Sequence, residues 1–275
     1  MLKNIDILWL GGNSNGRLKT SDRETGKFNR VAKIQKMYPE IDQKLRSFCY
    51  IERNTERKAC AYAVLMMIET GIRIGNLDSA KGYVSKAKKT EGQTLYTYGL
   101  TTLLKEHVSF ENENMILKFI GKKSVAHEII ITDPFLINVG REFYNAGSVR
   151  WLNFDDQQEV TDNIVSKFIK KSVGHGFSAK DFRAFRANVE AALVSERIIK
   201  EENKTITKKK EVSAEIKRIV TEVSEILGNT HGAAKKAYIN IEILNRHINN
   251  FGWEIVRFSR KKKFKEKIQK MEINQ

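Results

Sequence analysis

The chain has little of what would tie a fold together covalently: two cysteines and two prolines in 275 residues. Cys49 and Cys60 do not form a CxxC pair, which excludes a disulfide framework and a cysteine zinc site and fits a reducing compartment. So few prolines favour helices over a turn-rich β-sandwich. Long apolar runs are also missing. The most apolar stretch, AYAVLMMI at 61–68, is far too short to span a bilayer, so no membrane is expected. The N-terminal MLKNIDILWLGG lacks a small-residue cleavage site, so no signal peptide is expected. The histidines number five and none has ligand spacing; no metal and no other cofactor is expected.

What is abundant is positive charge. Lys and Arg total 49 against 33 Asp and Glu, a formal net charge of +16, with a sequence pI near 9.7. Such an excess attracts polyanions, chiefly nucleic acid. With 41% hydrophobic and 9% aromatic residues the chain is not disordered throughout, and its length suffices for a sizeable core.

The patterning predicts a mixed α/β protein that is predominantly helical. Ile5, Ile7 and Trp9 alternate with other residues ahead of GGNSNG, so 1–22 is expected to form a reduced N-terminal β element, with 23–275 as one helical domain. Val31, Ile34 and Met37 share a helix face, and Pro39 is expected to open a second helix toward Phe48. Asn54 or Thr55 caps a helix carrying Ala59 through Ile68, which ends in the turn TGIRIGN at 70–76. Residues 77–97 are polar and lysine-rich, a loop or insertion. Short β-branched runs over about 98–132 then predict a three-stranded antiparallel meander. Beyond Pro134 helices return. Ser178 and Asp181 form a capping box for a helix through about Lys200, with Phe182, Phe185, Val189 and Leu193 as its buried stripe. A lysine-rich join precedes a helix ending near Leu227. Two further helices follow with Gly252 between them, and 253–275 is a basic helix or tail.

Five residues stand out only as a set. Arg73 lies in TGIRIGN, Lys122 at the hairpin tip in FIGKKSVAHE, Arg183 at the helix start in AKDFRAFRAN, and Asn229 and Tyr238 in LGNTHGAAKKAY. Singly, each has an ordinary explanation: an ion pair for either arginine, a solvated lysine, a half-buried tyrosine. In this order, and with the flanks YGLTTLLKEHV and KFIGKKSVAHE, they resemble the catalytic domain of type IB DNA topoisomerases of the small poxvirus-like and bacterial kind, over roughly residues 55–265.

The chemistry is sensible without the resemblance. Strand transfer at a phosphodiester needs a nucleophile, cationic donors around the phosphorane and an acid for the leaving 5′-oxygen. A tyrosine phenol suits the first need and forked guanidiniums the second. The resemblance implies Tyr238 as nucleophile, Arg73 and Arg183 on the non-bridging oxygens, Lys122 as general acid, and Lys180 in support. Asn229 stands where poxvirus-like members carry His. A carboxamide donates a hydrogen bond yet exchanges no proton, which implies transition-state hydrogen bonding there. His231, two residues on, is read as a bystander. Lys123, Lys235, Lys236 and Arg186 are expected to contact DNA. The implied enzyme is a monomer that relaxes double-stranded DNA through a 3′-phosphotyrosyl intermediate without ATP or metal, inside the cell wherever the DNA is.

The likeness has gaps. LWLGGNSNGRLK resembles only the last hairpin of the family's N-terminal clamp, with Leu18 and Thr20 replacing an aromatic pair, and 77–97 has no counterpart. A tyrosine recombinase is the nearest alternative. Against it, Lys180 stands where the HxxR histidine belongs, and Asn229 where the LGH histidine does. A non-catalytic basic DNA-binding protein is the third reading.

Overall fold

A computed structural model of the chain describes residues 22–50, 53–84, 91–146, 149–155, 158–202 and 204–252. The expected N-terminal β element, Lys86, Lys88 and Lys89 of the insertion, and the basic tail at 253–275 lie outside the described residues. The chain runs α1 (Asp22–Cys49), α2 (Glu56–Thr70), α3 (Leu77–Ala80), β1 (Tyr83–Val84), β2 (Thr94–Leu95), β3 (Val108–Glu111), β4 (Asn114–Gly121), β5 (Val125–Ile131) and α4 (Pro134–Asn145). It continues through β6 (Asn153–Phe154), β7 (Gln158–Glu159), α5 (Asp162–Phe168), α6 (Ala179–Glu201), α7 (Lys209–Ile226), α8 (His231–Ala237) and α9 (Ile241–Asn250). Helices dominate and every strand pair is antiparallel, as the patterning predicts.

The centre is α2. Every residue from Lys58 to Ile68 is buried, the signature of a helix apolar on all sides and surrounded by others. Thr55 caps its start, accepting from the Lys58 amide, and Gly71 ends it at φ 65°. Around it pack α1, the start of α6, α4, α5 and the three-stranded sheet β3–β4–β5, forming the first hydrophobic cluster.

The second half of α6 belongs to another cluster. Ala187, Ala191, Val194 and Ile198 meet Ile219, Val220 and Val223 of α7 and Ile243, Leu244 and Ile248 of α9. Thus α6 is shared: Phe182, Phe185 and Val189 face the first cluster, and the later positions the second.

Several local expectations are corrected. Pro39 does not open a new helix; α1 runs through it. A proline inside a helix costs about 3 kcal/mol, and here the continuous buried face Val31, Ile34, Tyr38, Ile41 and Leu45 offsets it, with Tyr38 packed 5.5 Å from Phe185. Met37 is off that face, 37% exposed. Leu193 is equally exposed, because α6 changes the side it buries where the first cluster ends. The run from Leu100 to His107 forms two short 3₁₀ turns, and β3 begins only at Val108. Gly252 follows α9, and the helix expected beyond it lies outside the described residues; ahead of it the chain forms two helices, α8 and α9, with a break at 238–240. The described residues of the insertion include α3 and the β1–β2 ladder.

Candidate active site

The turn after α2 carries Arg73 out of the core and is held by backbone bonds to a distant segment. Leu100 N–H donates to Arg73 C=O at 2.8 Å, and Thr101 N–H to Ile74 C=O at 2.7 Å. The two chains touch at glycines: a Cβ on Gly99 would lie 2.6 Å from the Gly75 Cα, and Gly75 has φ +104°. Only glycine permits that approach. One residue earlier, Tyr98 N–H donates to Ile120 C=O at 2.8 Å. The Arg73 turn, the YGLTT segment and the hairpin carrying Lys122 are therefore one hydrogen-bonded unit.

Arg183 comes from the other side. The start of α6 is fixed by its capping box, with Asp181 accepting from the Ser178 amide at 2.9 Å and hydroxyl at 2.7 Å. Arg30 of α1 also donates to Asp181, at 3.1 Å. Arg183 is 3% exposed. It donates to the carbonyls of Gly71 and, at 2.6 Å, Leu227, so it joins the α2 turn to the end of α7. Its guanidinium carbon lies 5.3 Å from the centre of the Tyr238 ring.

These side chains line one cavity. A space of about 560 Å³ is bounded by Arg73, Lys122, Lys180, Arg183 and Tyr238, with Tyr83 and Tyr98 among the other walls. Asn229 joins through Arg73, whose Nη2 donates to its Oδ1. So the structure brings together residues separated by as many as 165 positions in the chain (238 minus 73).

The electrostatics are unusual. Among the described residues neither Arg73 nor Arg183 is paired with a carboxylate. Burial lowers the pKa of both. For Arg73, Tyr238 acts in the opposite sense. Arg183 falls to about 10, burial acting most strongly and Arg73 adding to it, with Tyr238 again opposing. Three nitrogens here are buried without a partner among the described residues: the donors Arg183 Nε and Asn229 Nδ2, and His231 Nε2. Buried cations and open donors of this kind make a site suited to an anion.

The other expected contacts divide. Lys122, Lys123, Lys180, Lys235 and Lys236 are exposed, Lys235 and Lys236 in the last turn of α8 just before Tyr238. Arg186 binds Glu190 at 2.5 Å and approaches Glu69 at 3.8 Å, so acids within the fold already face its charge. No group of three His, Cys, Asp or Glu able to hold a metal occurs among the described residues. No helix among them is long and apolar enough to cross a membrane.

Sequence reading missed Asn188, buried in the middle of α6. Its Nδ2 donates to Tyr238 C=O at 2.9 Å and its Oδ1 accepts from Asn240 N–H at 2.7 Å, which fixes the backbone on both sides of Ile239. An asparagine inside an otherwise apolar helix stretch was the available signal.

A profile of the catalytic core of eukaryotic DNA topoisomerase I matches residues 15–262. The chain belongs to the type IB DNA topoisomerase family. Vaccinia virus (strain Copenhagen) DNA topoisomerase 1B is 23% identical over 250 residues, which is 86% of this chain and 71% of the viral protein. The monkeypox virus DNA topoisomerase I gives the same figures. The DNA topoisomerase 1B of Acanthamoeba polyphaga mimivirus is 23% identical over 267 residues, 90% of this chain and 74% of its own. As a type IB topoisomerase the protein is an enzyme, and the sequence resemblance is borne out at the level of family and fold.

Proposed function

We propose that this topoisomerase relaxes supercoiled duplex DNA by transient cleavage of one strand at Tyr238. The Tyr238 oxygen attacks the phosphorus and gives up its proton, the bond from phosphorus to the 5′-oxygen breaks, and Lys122 protonates that oxygen. The product is a 3′-phosphotyrosyl ester and a free 5′-hydroxyl. The duplex rotates, and the reverse steps reseal it. One phosphodiester is exchanged for another at each step, so no ATP is required.

The observation that carries this reading is the pair of guanidiniums, Arg73 and Arg183, which have no carboxylate partner among the described residues and line one cavity with Tyr238, Arg183 lying beside its ring. Fixed cations aimed where phosphoryl charge develops are worth far more in a water-poor site than in bulk solvent. Asn229 Nδ2 supplies a neutral donor to the same oxygens, and Lys180 adds charge at the rim. These side chains furnish the positive charge that other phosphoryl-transfer sites draw from metal ions. Lys123, Lys235 and Lys236 track flanking phosphates.

The test is relaxation of negatively supercoiled plasmid in EDTA without ATP, comparing wild type with Tyr238→Phe. Relaxation by wild type alone supports the reading. Failure of both, with DNA binding retained, overturns it. A plasmid bearing no recombination site also separates relaxation from the recombinase alternative.

A further inference from the structure

His127 occupies a place that none of the roles above uses. It sits on β5 directly across the ladder from Phe119 of β4. The two rings are stacked, with centroids 4.7 Å apart and planes at 5°. The imidazole is also flush against two glycines. A Cβ on Gly121 would come within 2.6 Å of His127 Nε2, and a Cβ on Gly228 would overlap Cε1. Gly121 immediately precedes Lys122, and Gly228, at φ +55°, immediately precedes Asn229. One ring, braced from behind by Phe119, thus separates the backbone of the lysine hairpin from the backbone of the asparagine turn.

We propose that His127 is a positioning residue whose ring sets the spacing between Lys122 and Asn229, so that acid and oxygen donor address the same phosphate. This rests on the strand-cleavage reading above. A rigid aromatic wedge is well suited to such spacing, because it has few rotamers to lose and Phe119 fixes the plane in which it lies. The absence of side chains at 121 and 228 lets both segments close on it. Burial favours its neutral form, with Arg73 and Arg183 adding to the effect, so the wedge adds no third positive charge beside them.

The experiment measures single-turnover formation of the covalent adduct by wild type, Lys122→Ala and His127→Ala on two duplexes. One has the natural 5′-oxygen at the scissile bond, the other a 5′-sulfur, a leaving group that needs little protonation. His127→Ala is expected to slow cleavage of the oxygen substrate on the order of 10- to 100-fold, as misplacement of a catalytic group does. On the sulfur substrate most of that loss should disappear, as for Lys122→Ala. Equal slowing on both substrates, or no slowing on either, overturns the proposal. Should His127→Ala not fold, His127→Asn is read in the same way. Rescue of His127→Ala by sulfur is specific to Lys122 placement, because general loosening of the site would slow both reactions alike. If wild type forms no adduct on either duplex, the strand-cleavage reading itself has failed.

Discussion

Arg73 donates to the Oδ1 of Asn229, 156 residues further along the chain, and the Nδ2 of the same amide is buried with no partner among the described residues. The amide is thereby oriented by its acceptor end, and its donor end is free for a ligand.

That arrangement ranks substitutions at 229. Asn229→Ala should lower the cleavage rate on the order of 100-fold, the usual loss of one oxyanion donor, with little change in DNA affinity. Asn229→Asp should be worse, because the carboxylate would pair with Arg73 and repel the phosphate. Asn229→His keeps a donor and should retain most activity. Adduct formation on a short duplex, measured beside binding, checks the order; an Asp variant as active as wild type would contradict it.

Asn188 holds both flanks of the tyrosine segment. Asn188→Ala leaves the half-buried Tyr238 carbonyl and Asn240 amide without their partner, at a cost of up to about 1–3 kcal/mol for each group. The expected result is a lower Tm together with slower cleavage and unchanged DNA affinity, read by thermal melting and by adduct formation.

The stability of the protein should depend on His127 under acid conditions. Its pKa falls from the ordinary 6.5 to about 4, chiefly through burial, with Arg73 and Arg183 adding to the effect. Between those values the unfolded chain binds more protons than the folded one, so stability declines as pH drops from about 6.5 to about 4 and then levels off. Burial lowers His107 and His247 as well, although Glu106 and Glu215 respectively act against it, so part of the decline is theirs. Melting curves of wild type and His127→Asn across this range should converge toward acid pH. Parallel curves would show that His127 does not contribute.

Salt dependence separates open lysines from the paired arginine. Replacing Lys235 and Lys236 with Ala should reduce the slope of log affinity against log salt by about 2, near 0.9 for each lost phosphate contact. Arg186→Ala should leave the slope alone and lower the Tm, since its partners are Glu190 and Glu69. A binding titration at several salt concentrations distinguishes the two.

What the sequence made legible was local. The apolar run inside α2, the Ser178 capping box and the β-branched meander each carry their own signal within a dozen residues. What it hid was decided by neighbours distant in the chain. Pro39 stays helical because the face of α1 beside it is buried, with Tyr38 against Phe185. Leu193 is exposed because α6 changes partners, and Arg186 meets acids that no motif announces. The site divides in the same way. Motif order pointed to Arg73, Lys122, Lys180, Arg183 and Tyr238, which share one cavity. Nothing in the local sequence marks His127, and a lone asparagine in an apolar helix stretch is all that marks Asn188; the importance of both lies in what they touch.

The two hydrophobic clusters share α6, and Tyr238 packs at their seam. Arg73 and Lys122 are mounted on the first cluster, whereas the tyrosine is carried by the second, close to the end of the described chain. During synthesis the cationic half emerges before the nucleophile does. On the proposed mechanism, strand scission therefore waits until α7, α8 and α9 have docked on α6.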